Sequence, residues 1–524
     1  MRSVFLFLPA VFCFFRLSLH GVSWSAPVTV SSSGVAAVSP ELAMNDSRQM
    51  VAVWISNSQC QAATALFGES WSAPTALSSA MILAASFPSV KINAAGEAVA
   101  GWSGSLSSTN QSGVFVATLP FGMTWSAPIP LALDPFLQKV SLSICTTGHV
   151  VAAVESSGPA KGLQIYRAFF GGSWSPPLQL AGNKTASQSQ LGFRENEHIG
   201  LIAVAWIALS GTKQAVFAEL LSHHEALPSA LSIYGSQLSD DGQHAQSPQI
   251  AHNLSREATV IWSRSNGTNT IIQASTKTKG GKWSDAEDLS LPGQHADSPQ
   301  IAMNRSGQRV AVWRRSNGTN TVIQAVTKLS GASWSAPVTL SLPGQSASLP
   351  KIALNDAGQA VAIWKRSNGS NDIIQASTMT WGESWSAPSN LSTAGQNSDL
   401  PSVAINAKGQ CAAIWQSSNG MATSIQSATT QAAPPSPLSV RLFTKLITSP
   451  QENYYHLYVH WLPCSNPNLA SYNIYRNGAL VATQGADLLF FQDFVAQSSL
   501  PVTYEVSSVT TGGGESPRAA VTLQ

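Results

Sequence analysis

The sequence predicts an all-β protein, an eight-bladed β-propeller followed by a β-sandwich, and three observations carry that prediction. A tryptophan that closes an apolar run stands at positions 262, 313, 364 and 415, a constant spacing of 51 residues. Residues 247–297, 298–348 and 349–399 align with one another without a gap. Each copy divides into four short apolar runs separated by turn residues, the pattern of four antiparallel strands repeated as a unit.

Composition bounds the rest. Of the 524 residues only 10% are charged and the net charge is +2, whereas an ordinary soluble protein carries about 25% charge. Polyanion recognition needs clustered cations, so no nucleic-acid partner is expected. Low charge with 44% apolar residues also excludes a disordered chain.

Residues 1–20 open with Arg2 and an almost purely apolar run over 4–15. That length suits the core of an export signal and is short for a spanning helix. Residues 1–21 are therefore expected to be a signal peptide, with an uncleaved anchor as the alternative. The protein is expected to be secreted, periplasmic or at the cell surface. No later segment reaches about 18 uninterrupted apolar residues, so no membrane span is expected in the mature chain. The five cysteines, Cys13, Cys60, Cys145, Cys411 and Cys464, share no fixed spacing. A disulfide scaffold and a zinc site are both disfavoured, and core packing is the expected role.

Upstream of residue 247 the tryptophan landmark recurs at Trp54, Trp102 and Trp206, and a copy without tryptophan ends at Val154, giving eight copies. A second landmark, Trp-Ser-Ala-Pro or a close variant, begins at Trp24, Trp71, Trp125, Trp174, Trp283, Trp334 and Trp385, with a degraded version over 224–232. In the copy around Trp364 the runs are 351–354, 360–364, 373–378 and 384–391. Asn368-Gly369 between two of them signals a hairpin, since both residues tolerate positive φ. Four strands repeated eight times fit a propeller. The mature chain opens on the outer-strand landmark, and the last copy, ending near 429, lacks it. The N-terminal segment is thus expected to supply the fourth strand of the final blade and close the ring. Seven blades is the alternative, if the copy around Trp206 is an insertion. Blades covered on both faces explain the unbroken apolar run 360–364.

The expected organisation is a propeller over 22–430, a Pro-rich linker over 431–437 and a separate module over 438–524. In that module Trp461, the Tyr472 segment leading to Asn477-Gly478, and Tyr504-Glu505-Val506 together resemble a fibronectin type III domain. The resemblance implies a β-sandwich with Tyr504 at a tyrosine corner, and a spacer or attachment role. The propeller part, with its Gly-x-Ala-x-Ala-x-Trp units, resembles the repeat propellers of secreted bacterial proteins, which implies fold alone.

No catalytic constellation emerges, and the chain is expected not to be an enzyme. The aspartate box of sialidases is not met, since Asp356 precedes Trp364 by 8 residues. His223-His224-Glu225 would point to opposite faces of a strand, and His244 and His295 are read as polar loop residues. No nucleotide or phosphate motif occurs, and no metal or cofactor is expected.

The strongest functional feature is a repeated polar face. Loops joining second to third strands carry Arg264, Arg315 and Arg366 with Asn266, Asn317 and Asn368. Loops joining one blade to the next carry Gln243, Gln294, Gln345 and Gln396 on the same face. Guanidinium and amide groups are planar donors and acceptors suited to sugar hydroxyls or carboxylates. Trp262, Trp313 and Trp364 stand just before these loops and could stack on sugar rings. The opposing reading packs the tryptophans between blades and leaves Asn-Gly and Arg to form and solubilise the rim. The expected function is binding or adhesion to a glycan or an extracellular protein. A divergent sialidase-like glycoside hydrolase, marked by a carboxylate pair about 5–9.5 Å apart, and a scaffold with a flat, pocketless face are the alternatives.

Overall fold

A computed structural model describes residues 22–524 apart from 79–80, 135, 157–161, 181–185, 196–199, 223–234, 432–439, 448–452, 464–468, 511–514, 517 and 524. The signal-peptide segment 1–21, the degraded landmark over 224–232, His223-His224-Glu225, Cys13, Cys464 and nearly all of the linker 431–437 lie outside the described residues.

Residues 28–429 form eight four-stranded antiparallel sheets. Seven follow chain order. The first runs Ala37–Met44, Gln49–Ser56, Gln59–Leu66 and Thr75–Ala76. The copy around Trp206 is a full sheet, with strands Ser187–Glu195, Gly200–Ser210, Lys213–Ser222 and Ser236–Gln237. The eighth sheet takes Asn397–Ile405, Cys411–Ser418 and Thr423–Thr429 from one end of the unit and Val28–Thr29 from the other. First strands pack on one another from sheet to sheet, and that of sheet eight packs on that of sheet one. One cavity of about 410 Å³ is lined by first-strand residues of all eight sheets, from Leu42 round to Ile405. A closed ring of radial sheets about a channel is a β-propeller.

The second-strand tryptophans are the mortar of the ring. Trp54, Trp102, Trp206, Trp262, Trp313, Trp364 and Trp415 are each 0% exposed. Trp102 packs with Val51 and Val53 of the preceding sheet, Trp364 with Val310 and Val312, and Trp54 with Ala412 and Ile414 across the closure. Stacking of these rings on a sugar is therefore corrected: no ligand reaches them.

The outer strand is also corrected. The Trp-Ser-Ala-Pro segment is not itself a ladder strand, because its proline cannot donate; pairing in the seventh sheet is limited to Ser389–Asn390. Serines replace the missing ladder bonds. The Ser386 N–H donates to the Thr378 carbonyl at 2.8 Å, and the Thr378 N–H donates to Ser386 Oγ at 3.0 Å. Past the strand, the Ile374 N–H donates to Ser392 Oγ at 2.9 Å. The same clamp recurs at Ser72, Ser126, Ser284 and Ser335. Neutral hydroxyls thus do the work of edge satisfaction in a chain with little charge.

Residues from Val440 onward form a three-stranded and a four-stranded antiparallel sheet. Trp461 and Tyr472 bring the sheets together, their rings 5.4 Å apart and both buried. Asn477-Gly478 is a two-residue hairpin turn with φ of 50° and 82°, between paired Arg476 and Ala479. The Tyr504 hydroxyl is buried against the Asp493 carboxylate, which also pairs with Arg476 at 2.8 Å. Burial and that carboxylate push the Tyr504 hydroxyl far above its ordinary value.

Candidate functional site

Every first strand carries an irregularity near its start, where the register against the second strand slips by a residue, and that of sheet two carries a second. In seven sheets a non-glycine residue at this bulge has positive φ: Ser39, Phe87, Gln188, Ser247, Ser298, Leu349 and Leu400, all between 49° and 55°. Six of these precede a proline, at 40, 88, 248, 299, 350 and 401, and a proline is tolerated within a sheet at a bulge. Left-handed backbone is unfavourable for L-residues, by about 1–3 kcal/mol at such sites. It persists here because the sheet overdetermines it. The result is a rim of bent backbone around one mouth of the channel.

That mouth opens into a cavity of about 920 Å³. It lies where first strands begin and second strands end, the face that also bears the second-to-third loops. Its lining comes from sheets two to six and includes seven serines and four glutamines. Lys139 and Glu155 are the charged residues in it, and they are direct cross-strand partners. Glu155 is buried and holds the neighbouring bulge: it accepts from the Gln188 N–H at 3.1 Å, the Ser189 N–H at 2.6 Å and the Ser189 hydroxyl at 2.7 Å. Gln188 Oε1 in turn accepts from the Ser247 N–H at 2.6 Å, tying sheet four to sheet five. Phe87, the one aromatic residue in the lining, is 59% exposed.

The residues singled out from the sequence cluster on the outer part of this face, in sheets five to seven. Asn266, Asn317 and Asn368 each begin a four-residue loop, and each side-chain oxygen accepts from two N–H groups of its own loop. The hairpins form as expected, but with glycine alone at positive φ (95° to 99° at Gly267, Gly318 and Gly369). The expected positive φ at Asn368 is corrected, because its carbonyl oxygen nucleates an Asx turn instead. Arg315 Nη2 reaches the carbonyls of Leu291 and Pro292 at 3.4 Å, Arg366 Nη2 that of Pro343 at 3.3 Å, and Arg264 Nη2 lies 3.7 Å from Asp240. These contacts are long and weak. Gln294 and Gln345 lay their amide nitrogens over Gly318 and Gly369, 3.8 Å and 3.6 Å from where a Cβ would stand. One arginine, one Asx loop and one glutamine thus meet in each of three successive sheets. His295 Nδ1 faces the Thr270 N–H at 3.1 Å across a sheet boundary, and Ser346 and Asn397 fill the same role toward Thr321 and Asp372.

The cavity was not anticipated. Its residues sit in different sheets, and most of the lining lies in copies two to four, where the repeat has drifted furthest. The recurrent Xaa-Pro at the start of six copies is the available signal for the bulge.

Among the described residues no group of three or more histidines, cysteines or acids is placed to hold a metal ion. No family model matches the chain, and no curated protein matches it. Solved structures similar to it include the BP39L lectin from Burkholderia pseudomallei, 13% identical, covering 70% of this chain and 100% of that one with a TM-score of 0.48. An α-L-arabinanase from Penicillium chrysogenum is 8% identical, covering 68% and 98% with a TM-score of 0.38. An α-L-arabinofuranosidase from Fusarium graminearum is 10% identical, covering 78% and 98% with a TM-score of 0.36. The expectation of a non-enzyme is corrected: the solved structures similar to this chain include proteins named as enzymes as well as a lectin, which leaves its enzyme status open. Catalytic groups contributed by separate sheets leave no local motif, so the lack of one in the sequence does not decide the question.

Proposed function

We propose that the chain is an exported glycan-binding protein, an eight-bladed propeller carrying a fibronectin type III module, and that it binds through the face bearing the cavity. The carrying observation is the coincidence on one face of a 920 Å³ polar cavity with three equivalent Arg-Asn-Gln clusters. Ligand pockets are concave with a few fixed polar groups, and the scaffold reading called for a flat face. Arg264, Arg315 and Arg366, with their weak loop contacts, keep donors for sugar oxygens or a partner's carboxylates. Equivalent clusters on adjacent sheets favour retention on dense surfaces through avidity. The C-terminal module serves as the attachment spacer.

The test is retention of the full chain on surfaces densely coated with a panel of oligosaccharides. Retention is expected, with a marked drop in the Arg315→Ala/Arg366→Ala double variant. Absent retention, or retention unchanged in that variant, defeats the proposed face.

A further inference from the structure

We infer that the primary ligand site is an off-axis pocket between sheets two and six, with Phe87 as its stacking platform, and that it takes a neutral oligosaccharide. This rests on the glycan-binding reading above and locates the site within that face.

The first argument is the departure of sheet two from the repeat. Where other sheets place Ser39, Gln188, Ser247, Ser298, Leu349 and Leu400 at the bulge, sheet two alone places an aromatic residue, Phe87, on left-handed backbone with φ 49°. A large side chain is a poor choice for that conformation. Packing does not explain it, because the ring is 59% exposed. Its strand has a second bulge between Leu83 and Ser86, which the other first strands lack. The extra residue, Ala84, also has positive φ, 53°. The first strand of sheet two thus carries two left-handed residues, more than any other first strand, and one of them is an aromatic side chain lining the cavity.

The second argument is the chemistry around that face. Sheets seven, eight and one contribute nothing to the lining, so the cavity is displaced from the axis toward the drifted copies. The near-identical copies supply Gln249 and Gln300, and the drifted ones supply Gln188 and Gln190. Amides and hydroxyls give donors and acceptors without net charge. Lys139 and Glu155 oppose each other across one ladder position, so their charges balance. A hydroxyl-rich, uncharged ligand with one apolar face matches an aromatic platform ringed by amides: its C–H face leaves water against the ring while its hydroxyls pair around the edge.

The third argument is separation from the repeated clusters. The Arg315 and Arg366 guanidinium groups contact loop carbonyls of their own sheets, and neither residue lines the cavity. A soluble ligand in the pocket does not need them.

Titration calorimetry of the full chain with soluble neutral gluco-, manno-, xylo- and fuco-oligosaccharides, and with uronate-containing counterparts, tests this. Phe87→Ser installs the residue that three other sheets carry at the position, so folding is preserved, and melting temperature checks it. The expected result is binding of at least one neutral oligosaccharide, weakened at least tenfold by Phe87→Ser. Undiminished binding by Phe87→Ser overturns the pocket while leaving glycan binding intact. Binding confined to uronate-containing ligands overturns the neutral class. No binding of any ligand, soluble or on dense surfaces, overturns both this inference and the reading it rests on.

Discussion

Ser25 and Thr429 hold each other across 404 positions of sequence. The Ser25 N–H donates to the Thr429 carbonyl at 2.8 Å, and the Thr429 N–H donates to Ser25 Oγ at 3.1 Å. A few residues on, the Ile425 N–H donates to the buried Ser31 Oγ at 3.0 Å. The Ser25 clamp is that of Ser72, Ser126, Ser175, Ser284, Ser335 and Ser386 in other sheets, used here to join the two ends of the ring.

Loosening that clamp is expected to destabilise the whole propeller. Ser31→Ala leaves the buried Ile425 amide without an acceptor, which costs about 1–3 kcal/mol. Ser25→Ala costs less, because its site is only part-buried. Deleting residues 22–31 exposes the strand Thr423–Thr429 as an open edge, and such edges pair with other chains. Urea unfolding should show the lowered midpoints of the point variants, and size-exclusion chromatography the self-association of the deletion.

The inter-sheet tryptophans give a second prediction. Trp313→Ala removes a fully buried ring and is expected to destabilise by about 3–5 kcal/mol. Trp313→Phe should cost clearly less, because the indole N–H of Trp313 has no protein acceptor and its loss forfeits no hydrogen bond. Equal losses in the two variants by chemical denaturation would contradict a purely packing role.

His252 gives a pH dependence. It is buried in the channel wall over Gly192, whose missing Cβ leaves it room: a Cβ there would stand 2.8 Å from Nδ1. Burial, aided by the nearby Arg194 guanidinium, lowers its pKa from 6.5 to about 3. The folded state therefore keeps it neutral while the unfolded state takes up a proton below about 6.5. Its contribution makes stability fall with acidity between about 6.5 and 3, by ~1.4 kcal/mol per pH unit. Unfolding measured from pH 7 to pH 4 should be less pH-sensitive in His252→Asn than in the wild type. Parallel profiles would show that this histidine does not titrate on unfolding.

Buried thiols give a further check. Burial raises the pKa of Cys60 and Cys411 well beyond the physiological range, and both are 0% exposed. Neither should react with iodoacetamide in the folded protein, and both should react in urea. Labelling of the native protein at either position, read by mass spectrometry, would contradict the packing of sheets one and eight.

The ring was legible in the sequence because its copies are nearly identical and its outer-strand landmark is split between the ends. The tryptophans could not be assigned from spacing alone, since a ring before a loop serves equally as mortar or platform. Burial decided it: Trp262, Trp313 and Trp364 are mortar. The repeat places Arg315 and Arg366 on one face, but their approach to loop carbonyls depends on how two loops pack. The cavity was hidden for a different reason. It draws Phe87, Glu155 and Gln188 from three separate sheets, each a departure from the repeat that a search for regularity passes over.

The most direct measurement is a crystal structure of the full chain with the tightest-binding neutral oligosaccharide. The account predicts a sugar ring stacked on Phe87 and hydrogen-bonded to glutamines of sheets four to six. A ligand seated on the opposite face, or on the outer edges of the sheets away from Phe87, would contradict it.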